Sequence, residues 1–320
     1  MSDDQFLLLS DADLAGLGLS GVQIVDAIEA AIMQEAAGDI WTTPKSAVLP
    51  GDGRYMMTTL ASADNPSLTT VKSVMVSPRN PDRGRPGIDG AILIQDSETG
   101  QLRAVTEAGW ITGVRTAGLS AVAARRLANP ASTSVAFIGC GMQARSHLAV
   151  FADLFPLTSI RAFGRGQVNI DRLCDMARGM GLEATAPATA QEAITGADMV
   201  VTSVTLSYEI EPFLDARWLK PGAFATVTDL GLPWKPEGME VLAPLFIDDQ
   251  AQEDASPKKL VDPSFVSGDL KALLTDGPGD FSADARRAFL FRGLGIGDFA
   301  IARLGYLTAL EKGAGQSAGW

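Results

Sequence analysis

One stretch constrains the fold more than any other: Ser134-Val-Ala-Phe-Ile-Gly139-Cys-Gly141-Met142-Gln143-Ala144. An apolar strand runs directly into Gly-x-Gly-x-x-Ala, and the residues from Arg145 onward read as a helix. Gly139 permits the tight turn, Gly141 lets the backbone approach a pyrophosphate, and Ala144 keeps the helix against the strand. The helix N-terminus, with Met142 and Gln143 in its first turn, offers free N–H groups and a positive dipole end to phosphates. The loop is expected to hold a dinucleotide, NAD(H) or NADP(H), the other reading being an ordinary tight βα turn.

The flanking pattern agrees. Strands expected at 134–138, 159–163, 199–202, 223–228 and 245–248 alternate with helical segments, which predicts a doubly wound, Rossmann-type parallel sheet. The second strand ends in Gly164-Arg165, roughly 25 residues after Gly139, where NAD-binding units usually carry an acidic residue for the ribose hydroxyls. An arginine there tolerates a 2′-phosphate and tilts the site toward NADP(H). It can also stack on adenine and serve NAD(H), so both cofactors stay open.

The N-terminal part has a different texture. The first 30 residues read as helical, with Ser10 or Asp11 as a cap. From about 46 to 105, short runs rich in Val, Ile, Thr and Met are separated by Gly, Pro, Asn and Asp, predicting an antiparallel sheet with flanking helices. Residues 111–128 are a helix candidate, broken by Asn129-Pro130. The tail from 285 to 311 reads as helix again, interrupted at Gly293-Leu-Gly-Ile-Gly297.

Three polar residues stand out. Lys72 lies in an alternating strand among apolar neighbours, so it is either turned to solvent or held by an anion or a lowered pKa, where it could bind a carboxylate or, as a catalytic residue, polarise a substrate nitrogen. Arg115 follows Trp110-Ile-Thr on the 111–128 helix, where a guanidinium could grip a carboxylate with two hydrogen bonds or lie on the surface. Asp229 follows the 223–228 strand, at a carboxyl end of the parallel sheet, where open α/β sheets place their ligands. It is either a proton carrier or a turn former before Gly231. The one histidine, His147, falls in the first turns after the glycine loop and reads as structural.

Charge and composition exclude other classes. With 26 Lys and Arg against 38 Asp and Glu, the net charge is −12, opposite to a nucleic-acid footprint. No apolar run reaches the roughly 20 residues of a membrane helix, and no His/Cys/Asp cluster has zinc spacing. The two cysteines make no disulfide framework, and the acidic start lacks a secretion signal, so a soluble, cytoplasmic protein without metal is expected.

The chain resembles the ornithine cyclodeaminase/mu-crystallin family. The resemblance rests on Val71-Lys72-Ser-Val, Trp110-Ile-Thr-Gly-Val-Arg115-Thr116-Ala, Gly139-Cys-Gly-Met-Gln143-Ala144, Gly196-Ala-Asp-Met-Val-Val-Thr202, Trp218-Leu-Lys-Pro-Gly222 and Phe291-Arg-Gly-Leu-Gly-Ile-Gly-Asp298. It implies a substrate-binding and dimerisation domain made of 1–117 with 291–320, an inserted dinucleotide domain at 118–290, and a homodimer. It implies that Lys72 and Arg115 bind a substrate carboxylate and that Asp229 does proton chemistry. Arg115, Thr116, Gly139, Gly141, Met142, Gln143, Ala144, Gly164, Arg165, Val204, Thr205 and Asp229 would line the dinucleotide.

Two departures bear on the activity. Lys45 stands where the family commonly has Arg, so charge is kept and the bidentate fork is lost. Asp229-Leu-Gly-Leu-Pro-Trp-Lys replaces the Asp-Cys-Pro-Gly-Lys type of run found in the cyclodeaminases, which argues against that reaction. The expectation is therefore an NAD(P)H-dependent imino-acid reductase. Cations at Lys45, Arg54, Lys72, Arg79, Arg83, Arg85 and Arg115 favour a dicarboxylate, iminosuccinate, with Lys45 or Arg54 holding the second carboxylate. The alternatives are ornithine cyclodeamination, ketimine reduction, alanine dehydrogenation, and a crystallin-like binding role without turnover.

Overall fold

The computed structural model describes residues 5–206 and 208–319, which form two compact units. The first comprises residues 1–115 and 295–320, the second 116–294. In chain order the elements are β1 (Gln5–Leu9), α1 (Asp11–Gly16), α2 (Gly21–Ala37), β2 (Ile40–Thr42), β3 (Ser46–Val48), β4 (Tyr55–Asp64), β5 (Ser67–Val76), β6 (Ile88–Gln95), β7 (Leu102–Glu107) and α3 (Gly109–Leu127). They continue with β8 (Ser134–Ile138), α4 (Met142–Leu154), β9 (Ser159–Phe163), α5 (Gln167–Gly179), β10 (Glu183–Thr185), α6 (Ala190–Ile194), β11 (Met199–Thr202) and β12 (Phe224–Val227). The last are β13 (Leu242–Ile247), α7 (Gln250–Ala255), β14 (Val266–Asp269), α8 (Leu270–Thr275), β15 (Arg286–Leu290), α9 (Gly295–Lys312) and β16 (Gln316–Gly319).

The first unit is an eight-stranded sheet in the order β16-β1-β7-β6-β5-β4-β2, with β3 on β4. Only the β1–β7 pair is parallel. The period-2 alternation of β5 puts Leu68, Thr70, Lys72 and Val74 on the buried face. Register fixes two cross-strand rows. Leu9, Thr106, Ile92, Lys72 and Thr59 line up on the core face, and Leu8, Val105, Leu93, Val71 and Leu60 on the outward one.

Two expectations fail here. The N-terminal segment begins as strand β1 rather than helix, because Phe6-Leu-Leu-Leu9 finds partners in β7 and β16. Capping boxes at Ser10 and Ser20 then open α1 and α2. In the tail, 286–290 is strand β15, not helix, slotted between β12 and β13 with Ala288, Phe289 and Leu290 fully buried. Burial on both faces of a parallel sheet outweighs local pattern.

The second unit is an eight-stranded, all-parallel sheet, ordered β10-β9-β8-β11-β12-β15-β13-β14. Strand order reverses between β8 and β11. That switch point is where ligands bind in open α/β sheets. The glycine loop leaves β8 there, and residues 203–206 leave β11. The buried His147 is structural. Its Nδ1 contacts the Gln143 carbonyl at 2.7 Å and its Nε2 contacts Ser120 Oγ at 2.8 Å, while Thr226 donates to Ser120. Burial pushes its pKa down to about 4, so near neutral pH it is an uncharged tie among α3, α4 and β12.

Candidate active site

In the second unit, Gly139 has φ +92 and sits against the start of the loop after β11. A Cβ added there would lie 2.5 Å from the Ser203 carbonyl oxygen, whereas one on Gly141 would meet nothing within 4 Å. The open space over Gly141 is the approach a pyrophosphate requires, and no side chain caps the N-terminus of α4. Gln143 Oε1 is buried without a hydrogen-bond partner, an acceptor suited to a ligand hydroxyl. Ala144 is fully buried, Met142 is exposed at the first position of α4, and Gly164 and exposed Arg165 follow β9. These residues fit a dinucleotide.

Asp229, 2% exposed, ties the same loop down. Its Oδ1 accepts from Thr202 Oγ1 at 3.0 Å and its Oδ2 from the Val204 N–H at 3.0 Å. The Thr202 hydroxyl accepts in turn from Trp234 Nε1 at 3.3 Å, so the tryptophan of the departed motif orients it. Thr205 is exposed on the same loop. Burial raises the Asp229 carboxyl to about 6, even though these donors favour the anion.

In the first unit, α9 and α3 bring a charged centre onto the core face of the sheet. Lys72, 1% exposed, donates to Thr112 Oγ1 at 2.7 Å and to Asp298 Oδ1 at 2.8 Å. Arg115 Nε lies 3.1 Å from the same Oδ1, and Thr59 donates to Oδ2 at 3.2 Å. Burial lowers the Lys72 ammonium to about 8; Asp298 pulls it up and Arg115 pushes it down. Burial would raise the Asp298 carboxyl, but Arg115 and Lys72 outweigh it, with Lys45 adding to them, and hold it below its usual value. Thr116, next along α3, is buried and belongs to the second unit.

Of the cations expected around a substrate, Lys72 and Arg115 meet at Asp298, and Lys45 is near enough to act on its charge. Arg54 is not among them. At the surface it binds Asp52 through Nε at 3.0 and 2.8 Å, and Arg79 lies 3.4 Å from the same carboxylate. Asp298 is the functional candidate that sequence reasoning passed over. Its signal was a lone acid inside the apolar run Ile296-Gly-Asp-Phe-Ala-Ile301. Among the described residues no group of three or more His, Cys, Asp or Glu could hold a metal ion, and no helix is long and apolar enough to cross a membrane.

Sheet order, switch-point loop and the discontinuous first unit define a Rossmann-type dinucleotide-binding protein carrying an α+β companion. The chain belongs to the ornithine cyclodeaminase/mu-crystallin family, which it matches over residues 7–312. It is 30% identical over 251 residues to the ketimine reductase mu-crystallin of Mus musculus, covering 77% of each chain. It is 28% identical over 325 residues to an alanine dehydrogenase of Archaeoglobus fulgidus, covering 97% of each. Among solved structures, the Thermococcus litoralis Δ1-pyrroline-2-carboxylate reductase with NADH and L-proline superposes with a TM-score of 0.87. That match has 22% identity and covers 97% of this chain and 99% of the other. An iminosuccinate reductase of Paracoccus denitrificans superposes at 0.83 with 21% identity, covering 99% of this chain and 100% of the other. At those identities the superpositions speak for the fold.

Proposed function

We propose that this chain reduces a small α-imino acid to the amino acid with NAD(P)H, and that a cyclic ketimine with a single carboxylate, such as pyrroline-2-carboxylate, is its preferred substrate. Its class is that of an NAD(P)-dependent oxidoreductase of amino or imino acids. The observation that carries the reading is the charge of the buried centre. Lys72 and Arg115 share one carboxylate, Asp298, leaving these three groups with a net charge of +1 that one further carboxylate would balance. Buried charges of like sign demand such compensation, and an α-imino acid brings one carboxylate.

The dinucleotide, when bound, supplies the hydride. The Arg115 guanidinium holds the substrate carboxylate with its remaining N–H groups, and the Lys72 ammonium adds a second contact. Asp229, near-neutral in its titration, gives the proton to the substrate nitrogen and takes it back in the oxidative direction. Arg165 would accept a 2′-phosphate, so NADPH is the cofactor we favour.

The ketimine is preferred over iminosuccinate for a local reason. Of the two residues expected to hold a second carboxylate, Arg54 pairs with Asp52 at the surface, and Lys45 acts on the charge of Asp298. Two relatives that cover three quarters or more of the chain are named as a ketimine reductase and an alanine dehydrogenase. Ornithine cyclodeamination is disfavoured by Leu230-Gly-Leu-Pro-Trp234 in place of its motif. We assign the outward apolar row Leu8, Val105, Leu93, Val71 and Leu60 to a second copy of the chain, giving a homodimer.

Steady-state kinetics with pyrroline-2-carboxylate, iminopyruvate and iminosuccinate against both reduced cofactors test the assignment. The expected order of kcat/KM puts the cyclic ketimine first, with NADPH over NADH. Iminosuccinate turning over fastest would restore the dicarboxylate expectation. Ammonia released from ornithine without net cofactor change would replace the reductase reading altogether.

A further inference from the structure

We propose that Asp298 is a positioning residue that holds Lys72 as a directed ammonium, so that the substrate-binding centre keeps two positive charges. The inference rests on the imino-acid reductase reading for its consequence in catalysis, and on geometry for its substance.

Lys72 is a large side chain sealed on the core face of β5, at 1% exposure. An ammonium there loses its hydration and, beside the Arg115 guanidinium, is driven toward the free amine. A neutral amine would bind no carboxylate. Asp298 opposes this from α9 at 2.8 Å. The aspartate is itself immobilised. Oδ1 faces Lys72 and Arg115, and Oδ2 takes the Thr59 hydroxyl. An ammonium has three protons, and two are committed, to Asp298 Oδ1 and to Thr112 Oγ1 at 2.7 Å. Two fixed tethers on a tetrahedral nitrogen leave the third N–H one direction. The charge depends on Asp298, and the direction on Asp298 and Thr112 together. The groups acting on Lys72 come from three elements: Asp298 from α9, Arg115 and Thr112 from α3, and Thr59 from β4 through Asp298. Lys45 adds a positive field at Asp298.

The two roles separate by substitution. In Asp298→Asn, with the shape kept and the charge removed, Lys72 should release its proton at lower pH, by about one unit or more. The alkaline limb of kcat/KM should move down with it. Asp298→Glu should restore the limb toward its wild-type position. Thr112→Val should lower kcat about tenfold through lost direction while moving the limb clearly less than Asp298→Asn does, and it serves where Asp298→Asn folds poorly.

Lys72 is read directly from its carbon-13 Cε resonance in lysine-labelled protein, assigned by comparison with Lys72→Met, with neither substrate nor cofactor present. A titration that shifts down in Asp298→Asn upholds the charge role even if no imino acid is reduced; that second result would fall on the reductase reading alone. An unshifted Lys72 titration in a folded Asp298→Asn protein overturns the proposal. So does a limb that stays put while the Lys72 titration moves, or a Thr112→Val limb that moves as far as that of Asp298→Asn.

Discussion

Each unit buries one aspartate to 2% exposure, and the two behave in opposite ways. Asp298 has Lys72 and Arg115 against it and is held as an anion below the usual carboxylate range. Asp229 has a hydroxyl and an amide for company, no cation, and is pushed up to about 6. Burial is the same in both, so the neighbours decide whether a buried carboxyl acts as a fixed charge or as a proton carrier. On the proposed function, the first unit would bind the substrate anion and the second would exchange a proton beside the dinucleotide loop.

The comparison breaks most visibly on the cationic side. Arg115→Ala leaves Asp298 with one cation fewer and the substrate carboxylate without its fork. A loss of about three orders of magnitude in kcat/KM is expected, in line with truncating one partner of a buried charge pair. Cofactor binding, measured by fluorescence titration, should weaken far less than kcat/KM. On the other side, Asp229→Asn removes the proton carrier, and kcat should fall by about two orders of magnitude. A kcat within a factor of a few of wild type would take the proton role away from Asp229.

The pH profile sharpens the contrast. Reduction needs Asp229 protonated and Lys72 charged, so kcat/KM should decline as pH rises through about 6 and again through about 8. Oxidation of the amino acid needs Asp229 ionised and Lys72 charged. It should give a bell, rising through about 6 and falling through about 8. Identical profiles in the two directions would contradict the division of roles.

Stability should carry the same signature. The Asp229 carboxyl is raised from 3.8 to about 6, so its contribution is fully present below pH 3.8 and is lost as pH rises through about 6. By linkage that loss is about 3 kcal/mol. Denaturant unfolding of Asp229→Asn and wild type at pH 4 and 7 should show the variant gaining about 2 kcal/mol relative to wild type, because part of the loss already falls below pH 4. An equal difference at both pH values would show that Asp229 titrates normally. The smallest effect is expected from Trp234→Phe, which takes one donor from Thr202 and costs about 1 kcal/mol of stability. Its kcat should stay within about tenfold of wild type.

What the sequence made legible follows from distance along the chain. The glycine loop is contiguous, so strand, turn and helix could be read together from Ser134 to Ala144. Alternation set Lys72 among apolar neighbours but left open whether it faced solvent or an anion, and the fold turns it onto the core face. Asp298 could not be linked to it, because the partners lie 226 residues apart and α9 offers no periodic pattern that singles out an acid. Arg54 looked like a site cation for the converse reason: its partner Asp52 is two residues away, and a local ion pair is invisible in a count of charges. Strand β15 was obscured because Arg286-Arg-Ala-Phe-Leu290 has no alternation, and its identity comes from neighbours on both sides, β12 and β13. Strand β1 likewise depends on a C-terminal partner, β16.

The central claim is hydride transfer from a reduced nicotinamide to the carbon of an imine whose carboxylate is held at Arg115 and Lys72. Supplying cofactor with both hydrogens of the reactive nicotinamide carbon replaced by deuterium, together with pyrroline-2-carboxylate, tests it in one mass spectrum. Proline carrying a single deuterium on its α-carbon is the predicted product. Unlabelled proline, or no proline while the wild-type protein binds the cofactor, would contradict the account.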